Sequence, residues 1–426
     1  MAMLIILVLS LLITVQGNED SFSNICKRGD ETCEKRVVNV EEFGAIGDGV
    51  SDDTKAFISA WKAACSRPKS VFLVPKRSTY LVNATMFAGP CAGRLTVKID
   101  GTIVAPSDPK HWNAKFGRMW LGFSNLTGVL FKGKGVIDGS GSKWWAASCK
   151  RNRTNPCVGA PTALTLEKSS NIRFRDLTIR NSQQIHFAIS HSNSVRVTNA
   201  VITAPGNSPN TDGIHITQST NVFLKKCSIA TGDDCISIVS GSSNIKMKLI
   251  YCGPGHGISI GSLGKNNASD FVHNIALNGA FMRNTTNGLR IKSWQGGSGY
   301  AQAIKFENVI MEDVQNPIII DQFYCDSFKP CANQTSAVQI SDITYLNIFG
   351  TTTSNFATKF ACSDTVPCKN ILMANIVLVK KNGTAETFCN SANGFAFGFI
   401  DPPADCLSCS DLYGLRSPTN LMHQIK

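Results

Sequence analysis

From about residue 171 onward a short pattern recurs along the chain: a turn residue, then apolar residues at alternate positions. It appears as Asn171-Ile172, Ser194-Val195, Asn221-Val222, Asn244-Ile245, Asn274-Ile275, Ala303-Ile304, Ala337-Val338 and Asn370-Ile371, at intervals of 23, 27, 23, 30, 29, 34 and 33 residues. Each unit holds period-two strands, as in Val195 and Val197 or Ile304 and Phe306, and no long amphipathic helix intervenes. Units this short cannot bury an apolar face alone, so they must stack into a solenoid. Their unequal lengths exclude a strict leucine-rich or propeller repeat and favour an all-β fold, a parallel β-helix whose turns accept insertions. Asparagine fills five of the eight turn positions, because it tolerates left-handed backbone and bonds locally.

A length near 400 residues would ordinarily suggest two or three domains, but the repeat argues for a single one over residues 18–426. Ahead of the coils, Asp52-Asp53-Thr54 is expected to cap a short helix with Phe57, Trp61 and Ala64 on one face. Such a helix would plug the open end of the solenoid and protect its strand edge. Past about residue 380 the periodicity fades into a cysteine-containing tail. FGAIGDGVSDD, near residue 43, lacks the GK[ST] ending of a phosphate loop and reads as a turn.

The chain opens on MAMLIILVLSLLITVQG, an apolar run too short to span a membrane and followed by Asn18, Glu19 and Asp20. It reads as a cleaved signal peptide over residues 1–17, leaving a secreted protein with no membrane attachment. Sixteen cysteines suit an oxidising destination. Close pairs are expected to bridge: Cys26 with Cys33, Cys149 with Cys157, Cys325 with Cys331, and Cys362 with Cys368. Cys406-x-x-Cys409 has no partner motif to complete a metal site, and no metal or other cofactor is expected. Seven Asn-x-Ser/Thr sequons, at Asn83, Asn125, Asn152, Asn267, Asn284, Asn333 and Asn382, fit the same route.

Basic residues outnumber acidic ones, 42 to 30, for a net charge of +12. A polyanionic partner follows from that excess. Nucleic acid is not expected, since no reading motif or basic-aromatic cluster is present; an acidic polysaccharide outside the cell suits both charge and address. A basic surface kept for solubility accounts for the charge alone almost as well. The mature protein is expected to be a monomer.

A second repeat lies within the first. Asp212-Gly213-Ile214-His215-Ile216 aligns with Asp234-Cys235-Ile236-Ser237-Ile238, His256-Gly257-Ile258-Ser259-Ile260, Asn287-Gly288-Leu289-Arg290-Ile291 and Asn316-Pro317-Ile318-Ile319-Ile320. The apolar positions point inward and the residues between them outward. Coils of a parallel sheet lie roughly 4.8 Å apart, so Asp212, Asp234 and His256 should form one ladder, bordered by Asp233. Arg290 shares the column of His215, Ser237 and Ser259, with Lys292 two residues on. Like charges that close cannot all ionise without cost, a frustration that enzymes use to hold one carboxyl protonated beside another that stays charged. Singly, an Asp-Asp pair reads as a turn or cap, and His256 as a surface histidine. Their shared register is what points to catalysis.

SPNTDG at 208–213, TGDDC at 231–235, CGPGHGISIGS at 252–262, RIK at 290–292 and the tyrosine of DQFYC resemble the motifs of the polygalacturonases. The likeness extends over nearly the whole mature chain. It implies a right-handed parallel β-helix and hydrolysis of α-1,4 bonds between galacturonic acids with inversion at the anomeric carbon. It further implies that Asp233 is the general acid, that Asp212 and Asp234 position and deprotonate water, and that His256 tunes the acid. Arg290 and Lys292 would bind a substrate carboxylate, with Tyr324 lining a neighbouring subsite and Asn210 supporting the site. NGLRIKSWQGGSG and DQFYC look closer to plant endo-acting members than to pollen exo-acting ones. Two rival readings are a pectate lyase, with calcium on the aspartates and a basic residue taking the proton, and a wall glycoprotein that binds without turnover. Cys235 and Cys252, one coil apart in register, are expected to bridge, leaving Cys227 buried and unpaired.

Overall fold

The computed structural model describes residues 36–112, 117–327 and 329–407. The expected leader at 1–17, the Cys26–Cys33 pair and Cys409 lie outside the described residues. The described chain is a right-handed parallel β-helix, with strands pairing to their counterparts one coil earlier and later in sheets of 20 and 11 strands.

The core is built in ladders. Ile189, Ile216, Ile238, Ile260, Ile291 and Ile320 pair in register along the 11-stranded sheet, all fully buried. Each such side chain stabilises the fold by about 1.5–3 kcal/mol. Toward the N-terminal end aromatic rings take over, with Phe87 on Phe123 and Phe174 on Phe187, both at 4.9 Å between centroids. The helix Thr54–Cys65 packs on this end, burying Phe57, Trp61 and Ala64 as the sequence pattern requires. Asp53 occupies the N-cap position without a side-chain cap bond, and it is Asp52 that accepts from the Thr54 amide, at 3.0 Å. Asp53 turns back to accept from the Ile46 and Gly47 amides, so the glycine-rich stretch is a turn built around a buried carboxylate.

Left-handed backbone marks the corners. Asn171, Ser194, Asn221, Asn244, Asn274, Ala303 and Asn370 all have φ between 53° and 57°. The exception is Ala337, which does not start a coil: Ile304 pairs with Ile343, so Asp342 (φ 58°) holds that corner. The alternation at Ala337-Val338 mimicked a coil start, while residues 322–327 and 329–338 belong to an insertion between the strands Asn316–Asp321 and Gln339–Thr352. A second left-handed residue follows five positions later in each coil, at Asp176, Asn199, Lys226, Leu249, Asn308, Asn347 and Asn375, with Gly279 in the same column. Nor does the solenoid stop at 380: strands Glu386–Asn390 and Ala392–Asp401 add a further turn. Phenylalanines 395, 397 and 399 face outward there, which blurs the period-two signal.

The bridges Cys149–Cys157, Cys235–Cys252, Cys325–Cys331 and Cys362–Cys368 are present, and Cys227 is free and buried. Cys65–Cys91 and Cys389–Cys406 were not anticipated; the second spends a cysteine of the CxxC pair.

Candidate active site

The outward face of the 11-stranded sheet carries a groove of 480 Å³ where the strands Ile214–Thr217, Ile236–Ile238, Ile258–Leu263 and Asn287–Ser293 run side by side. Ile214, Ile236, Ile258 and Leu289 pair in sequence, so the residues before them stand in one column: Asp212, Asp234, His256 and Asn287. Asn210, Asp212, Asp233, Asp234, His256, Arg290, Lys292 and Tyr324 all line this groove.

Local structure fixes the two key turns against each other. Thr211 accepts through its hydroxyl from the Gly232 amide at 2.9 Å, and a Cβ on Gly232 would come within 1.9 Å of the Ser208 carbonyl oxygen. Only glycine lets the 231–235 turn approach the 208–213 turn so closely. One coil on, the His256 amide donates to the Asp233 carbonyl at 2.8 Å, and the Cys235–Cys252 bridge ties the same two segments covalently.

The three carboxylates have different surroundings. Asp234 is almost wholly buried; its Oδ1 accepts from Arg290 Nη2 at 2.5 Å and Ser259 Oγ at 2.9 Å, and its Oδ2 from Lys292 Nζ at 2.9 Å. Asp233 Oδ1 lies 3.0 Å from His256 Nδ1 and accepts from the Asp234 amide, while Asn210 Nδ2 reaches Oδ2 at 3.4 Å. Ser237 Oγ donates to Asp212 Oδ2 at 2.7 Å, and His215 Nδ1 lies 2.8 Å from that hydroxyl and 4.0 Å from the same carboxylate oxygen. Burial, then the charges of Asp233 and Asp234, hold the Asp212 carboxyl well above the usual carboxylate range. Burial pushes Asp233 upward too, but the hydrogen bond and charge of His256, with Lys292 behind, outweigh it and hold Asp233 low. Of the two, Asp212 therefore holds a proton the more readily.

Asp233, Asp234 and His256 place ligand atoms within 4.8 Å of one another, close enough for a cation. The donor chemistry is unsuitable. Both Asp234 oxygens are engaged by Arg290 and Lys292, whose charges would repel a divalent ion.

The register that gave the acids also put His215, Ser237 and Ser259 in one outward column, yet their use as hydrogen-bond relays to Asp212 and Asp234 emerges only from side-chain geometry. Tyr324 packs edge-on against Trp294 at 5.5 Å, and Lys292 Nζ sits 5.3 Å from the Tyr324 ring centre. Lys150 and Asp326, from the loops closed by Cys149–Cys157 and Cys325–Cys331, form an ion pair beside the groove. Neither was singled out from the sequence, because loop reach leaves no periodic trace. Both residues also line an adjoining hollow of 970 Å³ that continues the groove toward the N-terminal coils.

A model of glycosyl hydrolases family 28 matches residues 65–398. The chain is 46% identical over 415 residues to a probable polygalacturonase of Arabidopsis thaliana, covering 95% of this chain and 93% of that protein. It is 48% identical over 365 residues to a polygalacturonase of Persea americana, covering 86% and 78%. Among solved structures, the endo-xylogalacturonan hydrolase from Aspergillus tubingensis superposes with a TM-score of 0.72 at 24% identity, over 86% of this chain and all of that one, a likeness of fold.

Proposed function

The chain belongs to family 28 of the glycosyl hydrolases, and we propose that it is a polygalacturonase cutting α-1,4 bonds inside unesterified polygalacturonate with inversion. The observation that carries this reading is the meeting of three aspartates with His256, Arg290 and Lys292 in one groove.

Asp233 stands where the bridging oxygen arrives. As the bond from the anomeric carbon to that oxygen breaks, its electron pair stays on the oxygen, which takes the Asp233 proton. A water held by Asp212 and Asp234 on the opposite face attacks the anomeric carbon and gives its proton to the carboxylate pair. The raised proton affinity of Asp212 suits it to receive that proton, and the lowered affinity of Asp233 makes it a strong donor once protonated. The working form therefore has the proton on Asp233 and the charge on Asp212, the reverse of the favoured resting form. Arg290 and Lys292 hold Asp234 in place and present remaining donors to the sugar carboxylate; Tyr324 walls the adjacent subsite and Asn210 steadies Asp233.

We further propose export behind a leader at 1–17, cleaved to leave one catalytic domain that works as a monomer in the cell wall. Six disulfides among the described residues support an oxidising destination. No helix among the described residues is long and apolar enough to cross a membrane. Cleavage by elimination finds no support among the relatives. With unesterified polygalacturonate at mildly acidic pH and a chelator present, new reducing ends should form without any unsaturated, ultraviolet-absorbing sugar. Ultraviolet absorbance that the chelator abolishes would replace hydrolysis by elimination, and a lack of new ends would leave only binding.

A further inference from the structure

We propose that a second face of the solenoid is a docking surface for a linear acidic polysaccharide, separate from the groove. Its partner is taken to be unesterified polygalacturonate, which rests on the reading above; the surface itself does not.

The strands Leu95–Ile99, Leu130–Lys132, Ser170–Arg175, Asn193–Thr198, Thr220–Lys225 and Ser242–Cys252 lie side by side in the 20-stranded sheet, not in the sheet that carries the aspartates. Their inward positions are core, as with Ile172, Phe174, Val195 and Val197. One outward column reads Lys98, Lys132, Arg175, Thr198, Lys225 and Lys248 over six successive coils. The column beside it contributes Arg173, Arg196 and Lys246, with Arg196 stacked 5.0 Å above the Phe223 ring. No acid enters either column until Glu307, two coils beyond Lys248. Lys98 pairs with Asp100 at the near end. Among the described residues Arg173, Arg175, Arg196, Lys225, Lys246 and Lys248 form no ion pair.

An outward strand position accepts any polar side chain, so the fold does not demand cations here, and their mutual repulsion is a cost that an anionic partner relieves. The cations of the strip recur at the coil rise of roughly 4.8 Å over about 24 Å, which suits an extended chain carrying one carboxylate per sugar. Such docking would keep the enzyme at high local concentration on its polymer between cuts.

The test uses the full chain and the triple variant Arg175→Gln, Lys225→Gln, Lys248→Gln, which keeps polar stems on an outward face. Retention on resin-coupled unesterified polygalacturonate is measured at low and high salt, with short galacturonate oligomers in excess to fill the groove. The variant should lose about tenfold in retention, its salt dependence should flatten, and its kcat and KM on soluble short oligomers should be unchanged. Equal retention of both proteins would overturn the docking surface, as would equal retention of the wild type on fully methyl-esterified resin. Tighter retention on immobilised double-stranded DNA would overturn the choice of partner class. A wild type that is retained through these cations yet cuts no oligomer would uphold the surface while removing the polygalacturonase reading.

Discussion

Asp212 and Asp233 differ in the group that bonds each carboxylate: the Ser237 hydroxyl for the first, with His215 farther off at 4.0 Å, and the His256 imidazole for the second. Burial and the charges of Asp233 and Asp234 hold the first carboxyl above its usual range, whereas His256 outweighs burial and holds the second below it. In the proposed mechanism activity needs one proton on the two interacting carboxyls, and it titrates with values belonging to both. The pH–rate profile should be a bell. Its acid limb should fall below the ordinary aspartate range, where Asp233 sets it, and its alkaline limb well above, where Asp212 loses its proton. His256→Asn removes the group that holds Asp233 low, so the acid limb should move to higher pH with the alkaline limb little changed. A limb that stays in place would detach His256 from Asp233. All eight residues that the sequence pattern and family motifs nominate line one groove, because strand register is periodic and a column can be read one coil at a time. The pairing of Asp234 with both Arg290 and Lys292 was not legible, since side-chain reach across coils is not periodic.

The 231–235 turn and the 253–257 loop are held to one another at three levels: the Cys235–Cys252 bridge, the hydrogen bond from the His256 amide to the Asp233 carbonyl, and glycines where a Cβ would strike backbone. A Cβ on Gly255 would lie 3.0 Å from the Asp233 carbonyl oxygen, and one on Gly257 (φ +81°) 2.0 Å from the Asn287 carbonyl oxygen of the next coil. The double variant Cys235→Ser, Cys252→Ser opens a bridge of sequence separation 17, worth about 3 kcal/mol. Turnover should fall by more than that loss explains at temperatures where the variant remains folded, because both segments carry residues of the proposed mechanism. Unimpaired kcat in a folded variant, checked by circular dichroism, would show that the bridge is a staple only. At this scale the asparagine corners were readable from the sequence, whereas the corner five residues later was not. Lys226 and Leu249 hold left-handed backbone there without any residue type to announce it. Ala337 misled for the opposite reason, a strand-like alternation inside an insertion.

Across the whole molecule, stability and catalysis depend differently on pH. His186 is fully buried beneath the site, with Nδ1 3.0 Å from the Asp212 carbonyl oxygen, and burial pushes its pKa down to about 4. The unfolded chain binds that proton near pH 6.5, so between about 6.5 and 4 the unfolded state holds more protons and stability falls as pH falls. The contribution is on the order of 3 kcal/mol, and a depressed His215, also near 4, acts in the same direction. The Tm should drop on acidification through this window, and His186→Gln should flatten the slope; an unchanged slope would point to other groups. The fold as a whole was legible because stacking leaves a repeat, and the surfaces it exposes, the groove on one sheet and the cationic strip on the other, follow from register. The proposed mechanism rests on water attacking the anomeric carbon while Asp233 protonates the departing oxygen. Proton NMR of the first products from polygalacturonate tests this directly: the new reducing end should appear as the β anomer before mutarotation. An initial α anomer would mean that a carboxylate attacks the sugar, contradicting the water-activating roles of Asp212 and Asp234.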